Sequence, residues 1–167
     1  MKTYVITLSK RFPTGHNRAG DLTFFLEALS NALHNAEATL TVDDADDTSI
    51  QIYERKIHTI RANYPLWAKR IAEVERGEAC LSIRQWTGKP YRSKQVEIAR
   101  LTKEDGVGIQ KVELTNDLAE CITGGRHYSY VDIARNDGLH PADWLDWFKG
   151  YDLAQPMAII HFTKFRY

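Results

Sequence analysis

The chain has 167 residues, of which 43% are hydrophobic and 26% charged, and its formal net charge is zero. These values fit one globular domain, residues 1–167, that buries most of its apolar surface without disulfide or metal staples. A neutral chain excludes a protein that coats long duplex DNA through its overall charge.

Positive charge is concentrated in the middle of the chain. Residues 54–100 hold 11 basic and 5 acidic side chains, whereas the segments on either side are net acidic. A basic face on a neutral protein can bind one anionic ligand or a short single strand. The alternative is a solvated surface that only aids solubility.

The cysteines and the hydropathy of the chain indicate in which cellular compartment the protein is found. Cys80 and Cys121 are far apart, and neither they nor the six histidines have the spacing of a zinc site, so we predict no metal and no cofactor. Free thiols suit a reducing cytoplasm. Because no apolar run approaches the ~20 residues of a membrane span, and the first residues do not resemble a secretory signal, we predict a cytoplasmic protein without a membrane partner.

The first third of the chain begins with a β-branched strand at residues 3–8. A loop rich in glycine and with a proline follows at residues 9–21. The spacing of leucine and phenylalanine then predicts a helix that is capped by Asp21 and runs to about Leu33. Residues 41–49 are rich in aspartate and look like an exposed insertion.

The rest of the chain mixes strands and helices without regular alternation, which argues against a doubly wound parallel sheet. We expect an α+β fold, a small mixed β-barrel of about five or six strands with two or three helices on its rim. The predicted elements are a helix at 65–77, a hairpin of strands 78–86 and 91–101, a strand at 108–114, a glycine loop at 123–130, a helix at 140–151 and a strand at 157–165.

The segment "RKIHTIR", residues 55–61, places cationic and hydroxyl side chains close together in sequence. In a regular strand Lys56 and Thr59 face opposite sides, so they can act together only if the chain bends at a loop-to-strand junction. By spacing alone, Lys56 is as well explained as an exposed strand-edge lysine that discourages aggregation.

The same segment resembles the signature of the ASCH domain, a PUA-like β-barrel family, on Lys56, Thr59 and Arg61. "CLSIRQWTGKPYRSKQVEIARL" resembles the family's barrel hairpin, "ARNDGLHPADWLDWF" its late helix and "AIIHFTKF" its last strand. The resemblance covers roughly residues 50–167 and the opening strand, so residues 9–21 and 41–49 are expected to be insertions. It implies a single PUA-like mixed barrel that binds RNA, a nucleotide or a modified nucleoside.

Small bacterial members of that family are amidohydrolases that remove the acyl group of N4-acetylcytidine with a Lys, a Thr and a Glu. The resemblance carries these roles to Lys56, Thr59 and Asp137, whose carboxylate is one methylene shorter than that of Glu. A threonine hydroxyl becomes nucleophilic when a base such as a lysine of lowered pKa takes its proton. Arg61 can stabilise the developing oxyanion. The alternative for Asp137 is a turn residue before Gly138.

Aromatic and cationic side chains are mixed in the predicted "WTGKPYR" turn and in the "GGRHYSY" loop. This mixture suits an unpaired base stacked on a ring with a phosphate nearby. Core packing is the alternative for Trp86, and a solvated side chain is the alternative for His127. The predicted ligand-binding residues are Arg61, Trp86, Lys89, Tyr91, Arg92, Arg126 and His127.

The sequence therefore predicts an ASCH-type RNA- or nucleotide-binding domain, with an amidohydrolase acting on N4-acylated cytidine as the alternative. A protein-interaction module without a ligand is a third possibility. Hydrolysis requires Lys56, Thr59 and a carboxylate around a small pocket. Strand binding requires an open groove with a basic and aromatic floor. The loop at residues 9–21 either covers this cleft or is an ordinary connection.

Overall fold

The computed structural model describes residues 1–34, 40–42, 50–52 and 55–167. Residues 43–49, most of the second predicted insertion, lie outside the described residues. The strands are β1 Lys2–Leu8, β2 Leu40–Val42, β3 Ile50–Ile52, β4 His58–Arg61, β5 Ala79–Trp86, β6 Gln95–Leu101, β7 Gly108–Leu114, β8 Glu120–Thr123, β9 Arg126–Ser129 and β10 Met157–His161. The helices are α1 Phe25–Leu33, α2 Tyr64–Glu75, α3 Tyr130–Asn136 and α4 Pro141–Phe148, with a 3₁₀ turn at Lys103–Asp105.

Eight of these strands form two sheets, and β2 pairs with β3 in a separate hairpin. The first sheet has the order β1-β5-β6, in which β1 runs parallel to β5 and β6 runs antiparallel to it. The second sheet has the order β4-β10-β7-β8-β9, with antiparallel neighbours throughout. The α+β prediction is thus confirmed, but the two sheets hold eight strands and the described residues form four helices, more than the five or six strands and two or three helices expected. Neither sheet closes on itself among the described strands, so the predicted barrel is not confirmed.

Apolar residues of both sheets and of the helices share one buried cluster. Ile6 and Leu81 come from the first sheet and Ile159 from the second, while Ile71 of α2 and Trp144 of α4 are fully buried between elements. The alternation of β-branched residues in the strands and the helical spacing of the apolar residues produce these faces. The core fixes the chain segments that carry the polar residues described below.

The structure corrects two predicted boundaries. Helix α1 begins at Phe25, and its N-cap is Phe24 rather than Asp21, because the backbone of Leu22 pairs with Arg11 and the Thr23 N–H donates to the Lys10 carbonyl at 3.0 Å. The predicted glycine loop at 123–130 is instead the β8–β9 hairpin, with Gly124 and Gly125 at φ +58° and +72° in its turn. A left-handed turn suits glycine, which has no Cβ.

Within the described residues, no helix has the length and apolar character that a membrane span requires.

Candidate functional site

The loop-to-strand junction that the sequence requires lies immediately before β4. The Lys56 N–H donates to the Ala28 carbonyl at 3.0 Å, and the Ile57 N–H donates to the Asn136 carbonyl at 2.9 Å. Regular β4 pairing starts only at His58. As a result Lys56, Thr59 and Arg61 all line one small cavity, as the bend was expected to allow.

The end of helix α3 brings Asp137 to the same cavity. Asp137 is the C-cap of α3, and the next two N–H groups close a Schellman motif: Gly138 donates to Arg135 and Leu139 to Ala134, each at 3.0 Å. Gly138 has φ +76°, and a Cβ there would lie 2.9 Å from the Lys56 Cβ. Glycine is therefore required both by the backbone and by the approach of Lys56.

Lys56 and Asp137 form a buried ion pair. The Lys56 Nζ donates to the Asp137 Oδ1 at 2.6 Å and to the Asp137 carbonyl at 2.6 Å. It also lies 4.1 Å from the centre of the Phe25 ring, a cation–π contact. Lys56 is 1% exposed, so it is not the exposed strand-edge lysine of the alternative. Asp137 is 4% exposed and does precede Gly138 in the turn, with its side chain paired with Lys56. The shorter Asp side chain still reaches the lysine.

Burial moves the two pKa values of this pair toward each other. Loss of water lowers the pKa of Lys56, with the charge of Arg61 acting in the same direction and Asp137 opposing it. Loss of water raises the pKa of Asp137, against the attraction of Lys56 and Arg61. Both shifts reduce the free energy needed to transfer the proton from the lysine to the carboxylate.

Thr59 and Arg61 complete the cavity, which has a volume of about 20 Å³, enough for about one water molecule. Thr59 is buried, and its hydroxyl makes no hydrogen bond to any described residue. Arg61 is partly exposed, and its Nη2 donates to the Thr7 carbonyl at 2.7 Å. The cavity thus combines an unpaired hydroxyl, an ion pair and a guanidinium.

A much larger groove, of about 1040 Å³, lies beside this cavity and shares Ser9 with it. Its cationic residues are Lys10, Arg11 and Lys89, and its aromatic residues are Phe12, Trp86 and Tyr91. No acidic residue lines it among the residues that the structure describes. Residues 9–14, 19 and 20 of the loop at 9–21 form one wall of this groove.

The "WTGKPY" turn supplies the opposite wall of the groove. Trp86 is only partly buried, in contrast to the core alternative, and its ring centre lies 5.3 Å from that of Tyr91. Tyr91 is 89% exposed and has φ +62°, a backbone conformation that few non-glycine residues adopt. Lys89, from the same turn, also lines the groove. Arg92 belongs to the same turn but is not among the groove residues.

Arg126 and His127 lie outside both the cavity and the groove. They belong to β9, the edge strand of the five-stranded sheet, and both are exposed. His127 Nδ1 lies 2.9 Å from Glu120 Oε2 on the neighbouring strand. The hairpin that replaces the predicted glycine loop carries these two side chains to another surface.

Sequence reasoning did not assign several residues of the site. Lys10, Arg11 and Phe12 have the same basic and aromatic mixture as the "WTGKPYR" turn, and that composition is the signal that could have found them. Phe25 and Trp147 also line the small cavity, but an apolar residue on a helix carries no sequence signal for such a role.

No family model, curated protein or solved structure significantly matches this chain. Among the described residues, no group of three or more His, Cys, Asp and Glu side chains could hold a metal ion. The candidate site is therefore defined by its own geometry.

Proposed function

We propose that this protein is an ASCH-type module that binds a nucleotide or a modified nucleoside in the groove, with one end of the ligand at the Lys56–Asp137 cavity. The observation that carries the proposal is the wall that the two spaces share. Ser9 lines both, and Arg61, a cavity residue, donates to Thr7, a groove residue. A PUA-like arrangement of the two sheets is part of the same proposal.

The groove's composition supports a ligand that is both planar and anionic. Trp86 and Tyr91 offer ring faces for a base, and stacking of this kind contributes about 1–3 kcal/mol per base. Lys10, Arg11 and Lys89 supply positive charge for a phosphate or for the backbone of a short single strand.

The test is binding of cytidine, cytidine monophosphate and a short single-stranded RNA, measured by calorimetry at two salt concentrations. Trp86→Ala and Lys89→Ala should each weaken binding about tenfold. Arg126→Ala is the matched control, because Arg126 is a cation exposed on another surface. The proposal is refuted if none of these ligands binds, or if Arg126→Ala weakens binding as much as Lys89→Ala does.

A second candidate, hydrolysis of an N4-acylated cytidine, is favoured by the buried Lys56–Asp137 pair beside the unpaired Thr59 hydroxyl. Lys56 passes its proton to Asp137, and the neutral amine takes the hydroxyl proton as the Thr59 Oγ1 attacks the acyl carbon. The bond between the acyl carbon and N4 breaks, and N4 takes that proton and leaves as the free amine of cytidine. Water then cleaves the Thr59 ester, which releases the carboxylic acid and restores the hydroxyl. The positive charge of Arg61 stabilises the oxyanion.

Conversion of N4-acetylcytidine to cytidine and acetate, followed by chromatography, tests this reaction. Thr59→Val should lower the turnover rate at least about 1000-fold, the loss expected when a nucleophile is deleted. Because the hydroxyl has no described partner, the same variant should remain folded and still bind cytidine. Thr59→Ser retains a hydroxyl and should retain turnover. Turnover by Thr59→Val at the wild-type rate would exclude Thr59 as the nucleophile.

A further inference from the structure

A hydrogen-bonded chain lies behind the Lys56–Asp137 pair, on residues that the proposed reaction does not use. His58 is 0% exposed, and its Nε2 lies 2.8 Å from the Tyr167 Oη. The Asn136 Nδ2 donates to the same Tyr167 oxygen at 2.8 Å. The other His58 nitrogen, Nδ1, lies 3.9 Å from the Asp137 Oδ1 and has no hydrogen bond to any described residue.

The hydrogen bonds around the Tyr167 hydroxyl favour one position of the His58 proton. An amide N–H only donates, so the Tyr167 oxygen accepts from Asn136 and its own hydrogen is free to donate. His58 Nε2 is its remaining neighbour in the chain, and donation there leaves no hydroxyl hydrogen unpaired. A neutral imidazole that accepts at Nε2 carries its proton on Nδ1, the nitrogen that faces Asp137.

His58 is neutral at physiological pH, which this assignment requires. Burial, with the nearby charges of His161 and Lys56, holds the pKa of His58 well below its usual value. The groups around it are Lys56 before β4, His161 on β10, Asp137 at the end of α3, and Tyr167; the Trp144 indole also lies near the Asp137 carboxylate. The Nδ1–H therefore donates as a neutral group.

We propose that His58 is a positioning residue: Tyr167 and Asn136 hold it in the Nδ1–H tautomer, and this N–H is an additional donor to the Asp137 carboxylate beside Lys56. The distance of 3.9 Å is about 1 Å longer than a hydrogen bond, so a small rotation of either side chain closes it. When Lys56 gives up its proton or turns toward a ligand, the buried Asp137 keeps a donor and stays in place. The role of His58 in turnover rests on the proposed function, whereas its tautomer is argued from the hydrogen bonds alone.

The tautomer is measured directly by long-range ¹H–¹⁵N correlation spectra of histidine-labelled protein near neutral pH. Wild-type His58 should show a protonated Nδ1 and an unprotonated Nε2. Tyr167→Phe removes the hydroxyl and keeps the ring, so a fraction of His58 should move its proton to Nε2. Tyr128→Phe is the matched control, because the Tyr128 ring packs 5.0 Å from that of Tyr167 and its hydroxyl has no described hydrogen bond.

A wild-type His58 protonated at Nε2 would overturn the inference, since the neutral ring would then carry no proton on Nδ1 to donate to Asp137. An unchanged tautomer in Tyr167→Phe would overturn it as well. With N4-acetylcytidine, Tyr167→Phe should lower kcat about tenfold and leave KM nearly unchanged, as for an orienting group behind a site. A wild-type kcat in this variant would refute the positioning role. A protein that turns over no acylated cytidine refutes the hydrolytic candidate, while the spectra still decide the tautomer.

Discussion

The Lys56 Nζ lies 2.6 Å from the Asp137 Oδ1, across 81 positions of sequence, with both side chains almost completely buried. An ion pair of this kind gains little net stability, because taking both charges out of water offsets their attraction. The fold nevertheless encloses it with an αL glycine and a ring face. We infer that the pair serves the site more than it serves stability.

Removal of one partner of this pair should be costly, because the other charge remains buried. Lys56→Met is expected to lower the free energy of unfolding by about 3–5 kcal/mol. The double variant Lys56→Met, Asp137→Leu should recover most of this loss but bind no ligand at the cavity. Urea unfolding at pH 7 measures both effects.

Lys89→Met is the control for this series, since Lys89 is exposed and should change stability by no more than about 0.5 kcal/mol. If the double variant is as unstable as Lys56→Met, the loss comes from packing and not from the unpaired charge.

Gly138 should be the least replaceable glycine at the site. Gly138→Ala places a Cβ 2.9 Å from the Lys56 Cβ and 3.4 Å from the Ala28 Cβ, in a backbone conformation at φ +76°. The conformation alone costs about 1–2 kcal/mol, and the contact should add at least about 1 kcal/mol. Thermal or urea unfolding gives the total.

Two other glycines separate the contributions. Gly124→Ala has φ +58° and no atom within 4 Å of its Cβ, so it reports the conformation alone. Gly150→Ala has neither problem and should be nearly neutral. A loss in Gly138→Ala no larger than that in Gly124→Ala would mean that Lys56 moves away without cost.

The buried histidines should make stability fall as pH falls from about 6.5. Burial, with the charge of Arg166, lowers the pKa of His161 from 6.5 to about 3, and the pKa of His58 is lowered as well. Between the pKa of a histidine in the unfolded chain, about 6.5, and its lowered pKa in the folded protein, the unfolded chain binds more protons than the folded one. The free energy of unfolding therefore rises with pH in this window, by up to about 1.4 kcal/mol per pH unit for each histidine, and is flat above it.

His161→Leu tests this prediction. Neither ring nitrogen of His161 has a hydrogen-bond partner among the described residues, so the variant should lie within about 1 kcal/mol of wild type at pH 7.5. At pH 5 it should be the more stable protein. A slope between pH 5 and 7 that is the same in both proteins would assign the pH dependence to other groups.

Helix α4 should hold the loop that forms one wall of the groove. The Asp146 Oδ2 accepts from the Asn17 N–H at 2.6 Å, the Asp143 Oδ2 accepts from the Arg18 Nη1 at 2.8 Å, and the His16 Nε2 lies 3.0 Å from the Asp143 carbonyl. Asp146→Ala should increase hydrogen exchange at the Asn17 amide about tenfold, because a hydrogen bond to a charged acceptor is lost.

The same variant should weaken ligand binding in the groove. Asp152→Ala is the control, since Asp152 caps the Ala154 N–H in a different turn. Equal exchange rates in wild type and Asp146→Ala would show that α4 does not hold the loop.

Local patterns predicted many of the individual elements, but not helix α3 at Tyr130–Asn136. The "TGKP" hairpin and the strand at 108–114 follow from β-branched runs and turn residues, and the structure has them as β5–β6 and β7. The boundary of α1 was wrong, because the backbone of Leu22 and Thr23 is used by the loop at 9–21. Long-range pairing overrides local helix signals of this kind.

The candidate site was predicted only in part. The resemblance assigned Lys56, Thr59, Arg61 and Asp137 to one site, and all four line the small cavity. The Tyr167 contact with His58 spans 109 positions, and no local pattern indicates it. The order of strands in the two sheets could not be predicted either, because it also depends on contacts between residues far apart in sequence.

Strand β1 pairs with β5 between residues such as Thr3 and Cys80, 77 positions apart. Closing so long a stretch of chain is entropically expensive and slow, so the hairpin β5–β6 should form before the first strand docks on it. Thr7 belongs to β1, and Ser9 directly follows it. The wall common to cavity and groove and the Lys56–Asp137 pair, which spans 81 positions, therefore both form after the local hairpins, so the two halves of the candidate site are completed late in folding.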